Sequence, residues 1–344
     1  MKPAHRAMLV RALQIGLTPL FAYLGVRGID WSRLSLSFRE IQPAFLCIGL
    51  VMATISMGLR ALRWRALLQT QRPIPYNSVF WATSGGYLAN TFLPARAGEL
   101  LRSVMLSRTY GISNAFLLAT TATERVLDAA ALAIASAVAL TAVGHAPLWM
   151  AGAVRLIGLA SAGGVLVILL LPSSQHKLTR FFDLLPQRFR SRCVVMTGEI
   201  ASGVGALRFP RAATQFALLT PVIWGLDTFG AIIVANSLHV PLAFPAAFLL
   251  LAAIGLSSAV PVTPGNVGFS QFVAITVLVP LGVLRDQALL YILLLQAIGA
   301  VNVAIWGLLA IWRFRNANRE ASRALHSPAA VPPTLALHAK ILEN

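Results

Sequence analysis

Acidic residues are scarce in this chain. There are 11 Asp and Glu among 344 residues, against 28 Lys and Arg. Charge of either sign makes up only 11% of the sequence, where a soluble domain carries roughly a quarter. No stretch is both long and polar enough to form a separate soluble domain. Cysteine is almost absent as well: Cys47 sits in an apolar run and Cys193 in a basic stretch, so neither a disulfide framework nor a cysteine metal spacing is available. H-E-x-x-H, G-x-S-x-G, the Walker A pattern and G-x-G-x-x-G are all missing. No aspartate-rich cluster is present to hold a metal with a nucleotide. An ATP-driven pump or a metal-dependent lipid transferase would need one of these features or a partner chain. We therefore expect no cofactor and no metal.

The chain is instead 57% hydrophobic, with mean hydropathy +0.75. Its length and apolar runs predict an all-α polytopic membrane protein with about six to eight transmembrane helices. The net charge of +17 would suggest nucleic acid in a soluble protein. Here the enrichment of cytoplasmic loops in Arg and Lys explains it, and no nucleic-acid partner is expected. Spans are read at about residues 8–26, 42–59, 109–143, 148–171, 213–236 and 287–312. Lys2, Arg6 and Arg11 precede the first of these, which reads as an uncleaved helix because no cleavage site is evident and more spans follow. Residues 177–211 read as a basic loop. The whole of 1–315 reads as one transmembrane domain, followed by a disordered tail over 316–344.

Two apolar segments are broken. Residues 73–98 contain Ser84-Gly85-Gly86, Asn90 and Pro94, and residues 241–284 contain Pro261, Pro264, Gly265 and Gly268. Backbone released from a helix inside a membrane must be covered by protein or line a cavity, so both read as re-entrant hairpins. The alternative for the first is a short span with a Gly-rich packing face. Re-entry is favoured because it keeps all but six of the 28 basic residues on the cytoplasmic side; the exceptions are Arg27, Arg33, Arg39, Arg125, Arg155 and Arg285. Both termini are then cytoplasmic. Pro94 to Gly98 and Pro264 to Gly268 share the pattern P-x-x-x-G, and the two hairpins enter from opposite faces. That arrangement is the signature of an inverted pseudo-repeat with a site near the midplane.

Charge inside the membrane costs a few kcal/mol per residue, so each such residue needs a reason. Thr120, Glu124 and Asp128 are spaced i, i+4, i+8 and form one helical stripe, with Arg125 beside it. Arg96, Glu99 and Arg102 form a second group after Pro94, and pairing between the groups would make burial much cheaper. Glu99, Glu124 and Asp128 read equally well as a structural ion-pair network and as functional groups. Arg96 and Arg102 favour function, because guanidinium matches phosphate geometry and nearby basic residues attract an anionic headgroup. Asp227 is isolated in its span and reads either as a partner of Arg125 or as a proton-coupling carboxylate. Asn90 completes the candidate set. Trp31, Trp64, Trp149 and Trp312 read as interfacial belts, and His145, His176 and His239 as interfacial histidines rather than metal ligands.

Three runs carry a family resemblance: NTFLPARAGELLR at 90–102, TERVLDAAAL at 123–132 and PVTPGNVGFSQF at 261–272. They resemble the transmembrane region of the lysylphosphatidylglycerol synthases, a flippase-like family that includes the flippase half of the bacterial multiple peptide resistance factor. The family's Pro-Ala-Arg-x-Gly-Glu run falls on Pro94, Ala95, Arg96, Gly98 and Glu99, and its Glu-Arg-x-x-Asp on Glu124, Arg125 and Asp128. Asn266 departs from the family's second Gly, Gln271 stands where a Glu is common, and Gln296 where an Arg is common. If those two charges normally pair, this chain has two amides instead. The resemblance implies oppositely oriented hairpins around a central cavity, and movement of a polar-headgroup lipid, a phospholipid or other anionic lipid, between leaflets. These runs do not include the soluble lysyl-transferring domain, so the resemblance does not imply synthase activity. A lipid-linked transferase with Glu124 or Asp128 as base is one alternative. The other is an accessory subunit of a lipid or envelope synthesis complex, with a homo-oligomer or synthesis enzyme as partner.

Overall fold

The computed structural model describes residues 19–21, 23–93, 97–143, 147–181, 187–257 and 268–325. Among them every regular element is helical. A short amphipathic helix, α1 (Trp31–Arg39), starts on Asp30, whose side chain accepts from the Ser32 and Arg33 amides. α2 (Pro43–Leu68) has Pro at its first position, where the fixed φ suits a helix start. Two shorter helices follow, α3 (Tyr76–Phe92) and α4 (Ala97–Tyr110). Gly111 at φ +65° ends α4, and Ser113 caps α5 (Asn114–Ala142) by accepting from the Ala115 amide. The predicted span beginning at 109 is thereby shifted: a left-handed glycine and a serine cap make residues 111–113 a break.

α6 (Leu148–Phe181) and α7 (Gln187–Val204) occupy most of the stretch expected as a basic loop. That expectation is corrected. Ala201 and Val204 of α7 are buried, and Val204 joins Ala119 of α5 and Ile168 of α6 in one cluster. An apolar face therefore holds α7 in place despite its arginines. The chain continues through α8 (Pro210–Asn236), α9 (Phe244–Ser257), α10 (Phe269–Leu278) and α11 (Arg285–Leu325). α11 thus runs ten residues into the segment read as a tail.

Five helical stretches among the described residues are long and apolar enough to cross a membrane: Pro43–Leu68, Asn114–Ala142, Leu148–Ser174, Pro210–Asn236 and Arg285–Asn316. Most of the expected first span lies outside the described residues. At 1.5 Å per residue α3 is ~26 Å and α4 ~21 Å long, each short of the ~30 Å hydrocarbon core. Their free ends meet, with the Ser78 and Tyr110 hydroxyls 2.6 Å apart, so α3 and α4 form a helical hairpin.

α2 and α8 lie antiparallel along their length. The Gln42 amide donates to the Ser237 carbonyl at one end, while Ala66 and Ala212 line one groove at the other. α3 packs on α11, and α9 packs on α5; α2 touches α5, and α8 touches α11. The packing of α2 to α5 is thus repeated by α8 to α11. One cluster of buried apolar residues centres on α8 to α11 with Leu132 of α5. A second gathers Trp64 and Leu68, Val79 and Leu106, and Phe116 and Leu117.

Candidate functional site

The charges singled out in α4 and α5 come together with two arginines, Arg60 and Arg63, that lie just past the span expected at 42–59. α2 continues unbroken past residue 59, and its geometry puts Arg60, Arg63 and Trp64 on one face. Arg63 has no exposure to solvent. Its Nη1 donates to Asp128 Oδ1 at 2.7 Å and to Thr220 Oγ1 at 3.0 Å, and its Nη2 to Glu124 Oε1 at 2.9 Å and Asp128 Oδ2 at 2.7 Å. Asp128 is therefore held by the guanidinium fork at both oxygens, the geometry that makes Arg–carboxylate pairs strong. Arg102 donates from Nη2 to Glu124 Oε2 at 3.1 Å and to Thr121 Oγ1 at 3.0 Å. Glu124 thus bridges the two guanidiniums.

Aromatic faces close this set off. Arg102 lies 4.1 Å from the Trp64 ring centroid, and Arg63 lies 4.6 Å from that of Phe216, within cation–π range. Trp64 donates its Nε1 hydrogen to Thr120 Oγ1. The interfacial role expected for Trp64 is corrected, since it is wholly buried, whereas Trp31, Trp149 and Trp312 are exposed.

Two further pairs differ in exposure. Arg60 Nη2 donates to Asp227 Oδ2 at 2.5 Å, beneath Trp224. Asp227 therefore pairs with Arg60 and not with Arg125. Arg125 Nε donates to Glu99 Oε1 at 2.9 Å, so the α4 group pairs with α5 through this contact as well as through Arg102. No side chain of the Arg63–Glu124–Asp128–Arg102 set exceeds 8% exposure, whereas the Arg60–Asp227 and Arg125–Glu99 side chains are 17–33% exposed. The site is thus layered: a sealed ionic floor and a half-open rim. Four guanidiniums meet four carboxylates, so more than a third of the chain's 11 acidic residues are gathered at one locus, and their charges cancel.

The remaining candidates shape the hairpins. The Gly98 amide donates to Asn90 Oδ1 at 2.8 Å, so Asn90 satisfies an amide that the first turn of α4 leaves free. Gly98 and Gly86 bring the two hairpin backbones into contact. Gly268 stands at φ +80°, a conformation that favours glycine, and starts α10. Its amide donates to Gln271 Oε1 at 2.7 Å, and Gln271 Nε2 donates to Gln296 Oε1 at 2.5 Å. The two amides meet, as the resemblance implied. Pro94, Arg96, Pro264 and Gly265 lie outside the described residues. We expect Gln271→Ala to lower stability by about 1–3 kcal/mol, the usual cost of leaving buried polar groups unpaired. Thermal melting of the purified protein reads this, and an unchanged melting temperature contradicts the role.

Arg60 and Arg63 were legible only in part. A cluster of arginines at the end of a span looks the same whether it is solvated or folded inward. The distinguishing signal is that no Gly or Pro falls between Gly58 and Pro73, which keeps both residues inside the helix.

The fold and site define a multi-pass helical membrane protein with a charge-balanced ionic centre. The chain matches the lysylphosphatidylglycerol synthase TM region over residues 11–307 and belongs to that family. No curated protein matches the chain. Membership supports a role connected with membrane lipids.

Proposed function

We propose that the chain translocates a polar-headgroup lipid between the two leaflets of a bacterial cytoplasmic membrane, with the headgroup taken up at the half-open ionic rim. The supporting observation is the layering of the charges. Ionic groups kept at depth in a membrane protein face its interior or a water-filled cavity, and among the described ion pairs Arg60–Asp227 and Arg125–Glu99 join the buried ionic set while keeping partial exposure. The sealed set beneath them is the scaffold. Lipid phosphate would exchange with the carboxylates for the Arg60 and Arg125 guanidiniums while the acyl chains stay in the bilayer. Arg96, three residues before Glu99 in sequence, is proposed as a further cation for the headgroup.

The α3–α4 hairpin is re-entrant in this reading. Its helices fall short of the ~30 Å hydrocarbon core and its free ends meet, and the packing of α9 on α5 supports a counterpart in the second half. In this reading Arg65, Arg72, Arg108, Arg208 and Arg211 mark the cytoplasmic end, and both termini are taken as cytoplasmic. With no nucleotide motif in the chain, movement would be passive or driven by a proton gradient or the membrane potential.

Reconstitution with a dithionite-accessible fluorescent lipid tests this. Arg125→Gln and Arg60→Gln are expected to slow translocation about tenfold or more, the worth of one hydrogen bond to a charged group. Arg96→Ala is expected to abolish it with the protein still folded and inserted. Translocation at the wild-type rate in all three variants would remove the headgroup role.

A further inference from the structure

A groove of about 620 Å³ opens at the basic end of the α2–α8 seam, one helical turn beyond Arg63. Its walls are Ala66, Pro73, Phe209, Pro210 and Ala212, and its polar groups are Gln69, Thr70, Arg211 and Gln215. None of the lining side chains is a carboxylate. Arg211 is exposed, and its guanidinium makes no hydrogen bond or ion pair among the described residues. That distinguishes it from Arg60, Arg63, Arg102 and Arg125, each of which is matched to a carboxylate. The groove therefore presents an unmatched positive charge beside amide donors. Its other walls are apolar, and Phe209 is more than half exposed at the lip. Phe209 precedes α8 without a side-chain cap, so the first free amides of a 27-residue helix add to the positive field there. The size lies within the range of small-molecule sites.

We propose that this groove binds an anionic phospholipid of the leaflet at the basic end, with its phosphate on Arg211, Gln69 and Gln215 and the first part of its acyl region against Phe209, Pro210 and Pro73. A soluble anion would use the cation and leave the apolar walls bare, and an apolar ligand would bury Arg211 without a partner, at a cost. A phospholipid satisfies both surfaces. Ala66 lies one turn beyond Arg63 on α2, and Ala212 one turn before Phe216, which covers Arg63. The bound lipid thus sits on the outermost rung of the seam whose inner rungs are Arg63 and Arg60. The site depends on membrane embedding and not on lipid translocation.

The full chain in detergent, titrated with dioctanoyl phosphatidylglycerol and separately with dioctanoyl phosphatidylcholine, tests the proposal by native mass spectrometry. One phosphatidylglycerol is expected to bind about tenfold tighter than phosphatidylcholine, and Arg211→Ala is expected to remove that preference, the usual effect of losing one charged contact. Because Arg211 is exposed, the variant is expected to melt like the wild type. Ala212→Phe fills the groove with the charge retained and is also expected to abolish the tight site. An unchanged preference in Arg211→Ala or Ala212→Phe overturns the proposal. So does equal binding of the two lipids, or displacement of phosphatidylglycerol by glycerol 3-phosphate, which would mark a site for a soluble anion. Translocation by Arg125→Gln is a separate readout, so failure of one reading is distinguishable from failure of the other.

Discussion

Arg63→Leu is expected to destabilise the folded chain by about 3–5 kcal/mol, the cost of removing one partner from a buried ion pair. Arg63 has no solvent exposure and donates to Glu124, Asp128 and Thr220. Without it Glu124 keeps Arg102, but Asp128 loses both of its guanidinium bonds. The loss therefore falls mainly on Asp128. A second substitution checks the cause: Arg63→Leu with Asp128→Leu leaves the Arg102–Glu124 pair neutral and replaces the other pair by apolar side chains. Replacing a whole buried pair is often neutral or stabilising, so the double variant should recover most of the loss. Thermal unfolding in detergent reads both. A loss below about 1 kcal/mol in the single variant, the range of exposed pairs, would show that Arg63 is not sealed.

Gly98→Ala is expected to be comparably severe, at about 3 kcal/mol or more, the upper range for overpacking. A Cβ built on Gly98 falls inside the van der Waals surface of the Gly86 carbonyl oxygen and lies 2.6 Å from Asn90 Oδ1. The obstacle is backbone in a helix, so no rotamer change relieves it. The hairpin must open, and that also strains the bond from the Gly98 amide to Asn90. Gly152 is the matched control, since a Cβ there meets nothing within 4 Å. Gly152→Ala should melt close to the wild type while Gly98→Ala falls well below it. Equal melting of the two would mean that α3 and α4 are not in backbone contact.

Local signals in the sequence were sufficient for some of this architecture. The spacing of Thr120, Glu124 and Asp128 fixed a common face, and all three are buried on α5. Gly98 marked the hairpin that forms between α3 and α4, and Gly268 the start of α10. What was not legible is long-range. Glu124 and Asp128 meet Arg63, about 60 residues earlier, and Asp227 meets Arg60, 167 residues away. Neither spacing nor composition chooses between these arginines and Arg125 as partners. The positive-inside pattern also concealed Arg60 and Arg63, because it already accounts for arginines at a span end. The same pattern concealed α7, whose buried Ala201 and Val204 matter more to its conformation than the basic residues around them. The residue break at 111–113 was visible in Gly111 and Ser113, two short-range signals outweighed by the long apolar stretch on either side.

The central claim is that the half-open ionic rim carries a lipid headgroup across the bilayer. Liposomes containing the purified wild-type chain and a fluorescent phospholipid, treated with dithionite, measure this most directly. The account predicts loss of fluorescence beyond the outer-leaflet share seen in protein-free liposomes. A plateau at the protein-free level, across phospholipids with anionic, zwitterionic and aminoacylated headgroups, would contradict it.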